Sequence, residues 1–135
     1  MYETKYHSKE ISSLTILVTG AAGFIGSHLV EYLLKWNVGK VRVMDNLLTG
    51  LQSNIDLFKD NPKYEFFNGD IRSVDDCKRA CEGVDIVLHQ AALGSVPRSI
   101  KNPVATNVAN VTGFLNMLTA AKDSGVKRFV YASSS

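Results

Sequence analysis

The stretch ILVTGAAGFIGSHLVEYLL, residues 16–34, spaces three glycines three apart, Gly20, Gly23 and Gly26, where an apolar helical pattern begins. Glycine costs a helix roughly 1 kcal/mol per residue relative to alanine, so three in succession serve something other than helix formation. Without a Cβ, the chain can turn with positive φ, and another backbone or a ligand can approach it closely. A β-branched run, LTILVT (14–19), precedes the glycines, and a stripe at helical spacing, Ile25, Leu29, Leu33 and Trp36, follows them. The unit reads as strand, glycine turn, helix. Free amides at the start of such a helix, with the positive end of its dipole, make an anion site.

The alternation continues along the chain. KVRVMD (40–45), YEFFNGD (64–70), VDIVLHQ (84–90) and KRFVYAS (127–133) read as further strands. The first, fourth and fifth strands are apolar at nearly every position, as parallel strands covered on both faces are. Ser73 is placed to cap a helix over 74–82, with Asp76 at its third position and Gly83 just beyond its end. Pro103 opens a helix with the stripe Val104, Val108, Val111, Leu115 and Leu118, stopped by Gly125. A shorter helix is expected around 51–60. Strand and helix in strict alternation imply right-handed crossovers and a parallel sheet with helices on both faces. The fold class is therefore α/β, a doubly wound parallel sheet of Rossmann type. Residues 14–135 are expected to form that domain and residues 1–13 a polar tail.

Several function classes are disfavoured by composition. Fifteen basic against 13 acidic residues leave a net charge of +2 with no basic block, so neither nucleic acid nor an anionic membrane is indicated. No apolar run approaches the roughly 20 residues that span a bilayer, and the opening MYETKYHSKEISS lacks an apolar signal core, which points to the cytoplasm. Cys77 and Cys81 lie four apart with no nearby histidine or third cysteine. They read as small apolar residues on the inner face of a helix rather than metal ligands, and no metal is expected.

In a doubly wound sheet the ligand lies beyond the carboxyl ends of the strands, where the strand order reverses. The glycine turn sits there: Gly20 for the sharp turn, Gly23 for close approach of a pyrophosphate, Gly26 for a helix lying close to the sheet. Asp45 ends the second strand, 19 residues beyond Gly26, where a carboxylate can accept hydrogen bonds from the adenosine ribose. It would repel a 2′-phosphate, and Arg42 lies within the strand rather than after it, so NAD is expected rather than NADP.

The Gly-x-x-Gly-x-x-Gly spacing occurs together with MDNLLTG, FNGDIRS, VLHQAALGSVPRS, NVTGFLNMLTAA and VKRFVYASSS. This set resembles the extended short-chain dehydrogenase/reductase family, and within it the NAD-dependent nucleotide-sugar epimerases and dehydratases. AALGSVPRSI is most similar to the UDP-N-acetylglucosamine 4-epimerase branch. The resemblance implies that Gly20, Ala22, Gly23, Phe24 and Ile25 surround the pyrophosphate. It puts Asp45 and Asn46 at the ribose, Asp70 and Ile71 beside the adenine, and Ala91, Ala92 and Leu93 along the middle of the cofactor. Asn110 would steady the loop or the cofactor, and Ser95 and Val96 would face the sugar. Ser134 matches the family's catalytic serine, with Ser133 a possible helper. Asp70 can also be read as a turn cap and Arg98 as a solvated loop arginine; His89 reads as a hydrogen-bonded core histidine and Tyr131 as a core aromatic.

The family's chemistry uses a Tyr-x-x-x-Lys pair for proton transfer, and none of the five tyrosines here has lysine four positions on. The expectation is the cofactor-binding portion of an NAD-dependent UDP-sugar 4-epimerase, inactive alone and dimeric when intact. The alternatives are a nucleotide-sugar 4,6-dehydratase or decarboxylase, and a non-catalytic NAD-binding module. RFVYAS is expected to be an exposed apolar edge through which the piece self-associates.

Overall fold

A computed structural model describes residues 2–133. Its five strands are β1 (Thr15–Thr19), β2 (Lys40–Asp45), β3 (Tyr64–Asn68), β4 (Ile86–His89) and β5 (Arg128–Tyr131). They form one parallel sheet in the order β3-β2-β1-β4-β5. The chain runs outward from β1 to β3, crosses back, and runs outward again through β4 to β5, so the order reverses between β1 and β4. This is the doubly wound, Rossmann-type arrangement the alternation of elements demands.

Six α-helices connect the strands: α1 (Phe24–Lys35), α2 (Gln52–Asp56), α3 (Val74–Cys81), α4 (Val96–Lys101), α5 (Pro103–Asn107) and α6 (Gly113–Asp123). A π-helical segment, Val108–Thr112, joins α5 to α6. Successive strand residues point to opposite faces, and two cores result. Ile16, Val18, Val41 and Val43 pack with Val30 and Leu33 of α1 and Ile55 of α2. Leu17, Met44 and Val87 pack on the other side with Cys77, Ala80 and Cys81 of α3 and Met117, Ala120 and Ala121 of α6. The two thiols are apolar filling, and burial pushes them up to about 12 for Cys77 and about 11 for Cys81. Helix α3 starts as its sequence predicts, the Ser73 hydroxyl accepting from Asp76 N at 3.2 Å.

The stripe expected to bury α1 holds at Leu33, which is buried, and at Leu29 and Trp36, which pack partly buried against the first core. It is corrected at Ile25, which is 58% exposed; Gly26, Ser27 and Val30 complete the buried face. Gly26 decides this: a Cβ there would fall inside the backbone of Gly20, so only the glycine face can approach. Ile25 lies with Tyr2, Tyr6, Phe24, His28, Leu29 and Tyr32 along a shallow apolar groove. Residues before β1 line α1, with Tyr6 N donating to the Tyr32 hydroxyl at 2.7 Å and Ile11 buried in the first core.

The stripe expected to bury the last helix is likewise corrected. Val104 and Leu115 are 72% and 59% exposed, and Val111 and Leu118 are exposed too. The buried face is Ala109, Gly113, Met117, Ala120 and Ala121. A Cβ on Gly113 would stand 2.7 Å from the Ile71 side chain, so the small-residue face packs at a distance the larger stripe could not reach. Tyr131 is also corrected: it is 52% exposed, because among the described residues β5 is paired only to β4, though its ring meets Phe114 at 4.9 Å.

Candidate functional site

A cleft opens at the carboxyl ends of the strands, over the β1–β4 reversal. Its walls include Gly20 and Gly23 from the first turn, Asp45 and Asn46 from the end of β2, and Asp70 and Ile71 after β3; Ala91, Ala92 and Leu93 follow β4. The structure thus brings these expected residues to one place from four separate loops.

Gly20 makes the turn with φ +73°, and a Cβ there would lie 2.8 Å from the Ala91 nitrogen. Gly23 differs. A Cβ at Gly23 would meet only the Gly20 carbonyl oxygen, at 3.3 Å, so packing within the protein demands glycine far less there than at Gly20 or Gly26. The open space above Gly23 belongs to the cleft. Gly23 is also the N-cap of α1, and among the described residues no side chain caps that end and no carboxylate lies in its first turn. Gly20, Ala22 and Gly23 N–H are bonded within the protein, and the first-turn amides of α1 beyond them are left for an anion from outside.

The Asp45 carboxylate accepts Ala22 N at 3.0 Å through Oδ2 and Leu47 N at 2.7 Å through Oδ1. It ties the glycine turn to the β2 loop and holds Leu47 at φ +61°, a left-handed conformation that costs a non-glycine residue about 1–2 kcal/mol. A carboxylate has about four acceptor sites, so two remain for a ligand. Asn46 donates to Asp70 Oδ2 at 3.2 Å. Arg72 grips Asp70 side-on, with Nε at 2.9 and 3.0 Å and Nη2 at 2.5 Å. Those bonds hold the Asp70 carboxyl at about 2 despite partial burial. Asp70 Oδ1 also accepts Arg72 N at 2.8 Å, so the carboxylate caps its own turn while lining the cleft. Arg42 stays away: its guanidinium bonds Glu65 at 3.1 Å and the carbonyls of Ala80 and Glu82 at 2.8 and 2.7 Å.

The other expected residues lie elsewhere. Ala22 and Phe24 line a neighbouring groove between α1 and α2, and the Ile25 side chain turns to the apolar groove. Gly26 is spent on packing. Asn110, in the π segment, holds Leu93 by its backbone rather than entering the cleft wall. Val96 begins α4, and the Ser95 hydroxyl caps that helix by accepting Arg98 N at 3.2 Å rather than lining the cleft. Ser133 follows β5 and is exposed. Ser134 lies outside the described residues. Sequence reasoning missed Leu48, Thr49, Gly50, Arg72 and Gln90 among the lining residues. MDNLLTG contained three of them, but only a folded loop shows that Gly50 touches Ala22.

A doubly wound sheet with an uncapped glycine-turn helix and a carboxylate at the end of β2 is the arrangement of the dinucleotide-binding folds. Over residues 16–135 the sequence matches the NAD dependent epimerase/dehydratase family, and the chain belongs to it. It is 45% identical over 120 residues to a putative UDP-glucose 4-epimerase of Methanocaldococcus jannaschii, covering 88% of this chain and 37% of the relative. The UDP-glucose 4-epimerase of Thermus thermophilus, solved with NAD, superposes with a TM-score of 0.78 at 39% identity, over 90% of this chain and 38% of that one. The dTDP-glucose 4,6-dehydratase DesIV of Streptomyces venezuelae, also solved with NAD, gives 0.80 at 38% identity, over 86% and 38%. The chain spans little more than a third of the relatives it matches. No helix among the described residues is long and apolar enough to cross a membrane.

Proposed function

We propose that this chain is the NAD-binding portion of a nucleotide-sugar 4-epimerase acting on a UDP-sugar. The observation that carries the reading is the convergence of Gly23, the uncapped start of α1, Asp45 and Asp70 on one cleft at the strand-order reversal. The Gly20–Ile25 turn would take the pyrophosphate on its remaining amides, Asp45 and Asn46 the adenosine ribose, and Asp70 and Ile71 the adenine edge. When bound, NAD would supply the acceptor for a hydride from the sugar ring. The chain's own part is to bind, to orient and, through Ser134 with Ser133, to hydrogen-bond the reacting hydroxyl. Ser95 and Val96 are assigned to the sugar side. A second copy of the intact enzyme would bury the exposed apolar side chains of Val104, Val111, Leu115 and Leu118.

A 4,6-dehydratase is the second reading, favoured by the equal likeness to a dehydratase and to an epimerase. A third reading is an NAD-binding module without turnover, separated from the enzyme by whether the full-length protein carries a Tyr-x-x-x-Lys pair. Calorimetry with NAD and NADP on the wild type and on Asp45→Ala tests the common core of all three. The wild type should bind NAD more tightly, and Asp45→Ala should weaken NAD about tenfold, the worth of one or two hydrogen bonds to a charged acceptor. Tighter binding of NADP by the wild type overturns the assignment.

A further inference from the structure

Thr19 and His89 end the neighbouring strands β1 and β4 and stand opposite each other in the register. Both are buried. Thr19 Oγ1 and His89 Nδ1 lie 2.8 Å apart, and the same oxygen accepts the backbone N–H of Gln90 at 3.0 Å and of Ala91 at 3.1 Å. A hydroxyl has one proton and two lone pairs. Both amides point at the lone pairs, the Gln90 N–H shared with the Thr19 carbonyl at 3.2 Å, and this geometry sends the hydroxyl proton to Nδ1. His89 is thereby fixed as the neutral imidazole protonated on Nε2. If Nδ1 carried a proton, three donors would converge on one oxygen, and Gln90 N–H would fall back on the Thr19 carbonyl alone.

The surroundings agree with the proton count. The His89 ring stacks on Phe129 at 5.7 Å and meets Phe114 edge-on at 5.6 Å, and burial drives its pKa down to about 4. The amides it controls are those of the cleft wall: Gln90 and Ala91 both line the cleft, and Ala91 N lies against the bare α-carbon of Gly20. In the sheet order this wall stands across β1 from Asp45 and Asp70.

We infer that His89 and Thr19 are positioning residues for the dinucleotide: the imidazole orients the hydroxyl, and the hydroxyl holds Gln90 and Ala91 against the glycine turn, setting the β4 wall of the cleft. The inference rests on the cofactor reading. Because the wall lies on the far side of β1 from the adenosine residues, the pair acts on the half of the ligand beyond the adenosine.

The test compares NAD with AMP by calorimetry on the wild type and on Thr19→Val, Thr19→Ser, His89→Phe and His89→Asn, with long-range ¹H–¹⁵N spectra of the His89 ring. Thr19→Val keeps the side-chain shape without the hydroxyl, and His89→Phe keeps the ring without the acceptor. Both should weaken NAD about tenfold, as expected for a lost hydrogen-bond arrangement, while AMP binding stays within about twofold, below the effect of one such bond. Thr19→Ser and His89→Asn, which retain a hydroxyl and an acceptor near the Nδ1 position, should recover most of the loss. The wild-type ring should show Nδ1 unprotonated and Nε2 protonated. A proton on Nδ1, equal loss of AMP and NAD, or full NAD affinity in Thr19→Val and His89→Phe would overturn the inference and leave the cofactor assignment standing. A wild type that binds neither ligand would overturn both.

Discussion

The carboxamide of Asn110 brackets the backbone of Leu93: Nδ2 donates to the Leu93 carbonyl at 2.8 Å, and Oδ1 accepts the Leu93 N–H at 2.7 Å. A side chain in a π-helical segment thus does for an exposed loop what a neighbouring strand does inside the sheet. Such segments recur at functional sites, and here one supports the β4 wall of the cleft.

Asn110→Ala removes both bonds and Asn110→Asp keeps an acceptor while setting a carboxylate against the Leu93 carbonyl. Both are expected to lower NAD affinity by about tenfold, with stability changed by about 1 kcal/mol. Calorimetry and amide exchange at Leu93 measure the two effects separately. Unchanged exchange at Leu93 would show that the loop holds itself.

The three glycines should respond differently to alanine. At Gly26 the new Cβ meets Gly20 backbone that cannot yield, and a loss of about 2 kcal/mol or more is expected in urea unfolding. At Gly20 the positive φ alone costs about 1–2 kcal/mol, before the encounter with Ala91. Gly23→Ala should fold within about 1 kcal/mol of the wild type yet lose most of its NAD binding. If Gly23→Ala binds NAD as the wild type does, the pyrophosphate does not sit over that residue.

Asp70 should leave a mark on acid stability. Its carboxyl is held at about 2 in the fold against an ordinary value of 3.8, so the unfolded chain binds the proton more readily. The contribution is complete above about pH 4 and lost as the pH falls towards 2, amounting to about 1 kcal/mol after solvent screening of the partly exposed Arg72. Thermal melts from pH 5 to pH 2 should therefore fall less steeply in Arg72→Gln than in the wild type.

His89 acts in the same sense over a higher pH range. Burial lowers its pKa from 6.5 to about 4, so the unfolded chain takes up protons first as the pH drops below 6.5. Stability should decline between about pH 6.5 and 4, by up to about 3 kcal/mol, and His89→Phe should remove that part of the slope. A wild-type stability flat across that range would contradict a buried neutral imidazole.

Self-association offers a way to separate two exposed apolar surfaces, the edge of β5 and the face of α5 and α6. Leu115→Glu puts a charge on the helical face and Val130→Lys puts one on the edge strand. Sedimentation of the wild-type chain should show association. If Leu115→Glu abolishes it and Val130→Lys does not, the helical face is the contact; the reverse result assigns it to the strand.

Much of the fold was legible because it rests on short-range patterns. The β-branched runs, the Ser73 cap and the turn at Gly83 are each written within a few residues, and their alternation leaves few topologies. The glycine spacing and Asp45 likewise pointed to a cleft of known kind. What failed was the choice of face. At the first turn of α1 and along α5–α6 large apolar residues marked the expected core, yet Ile25, Val104 and Leu115 lie outside, while Leu33 keeps its place.

By itself, then, the sequence determined the order and direction of the strands, the position of the glycine turn and the carboxylate facing it, because local propensity and the handedness of crossovers are properties of the chain. Only the tertiary structure decided which helix faces meet the sheet, that Thr19 shares its hydroxyl among His89, Gln90 and Ala91, and that Asn110 supports Leu93. Those outcomes depend on how closely two backbones can approach and on how many donors one oxygen can accept. Both are settled between residues as many as 72 positions apart in the chain, and no local pattern encodes them.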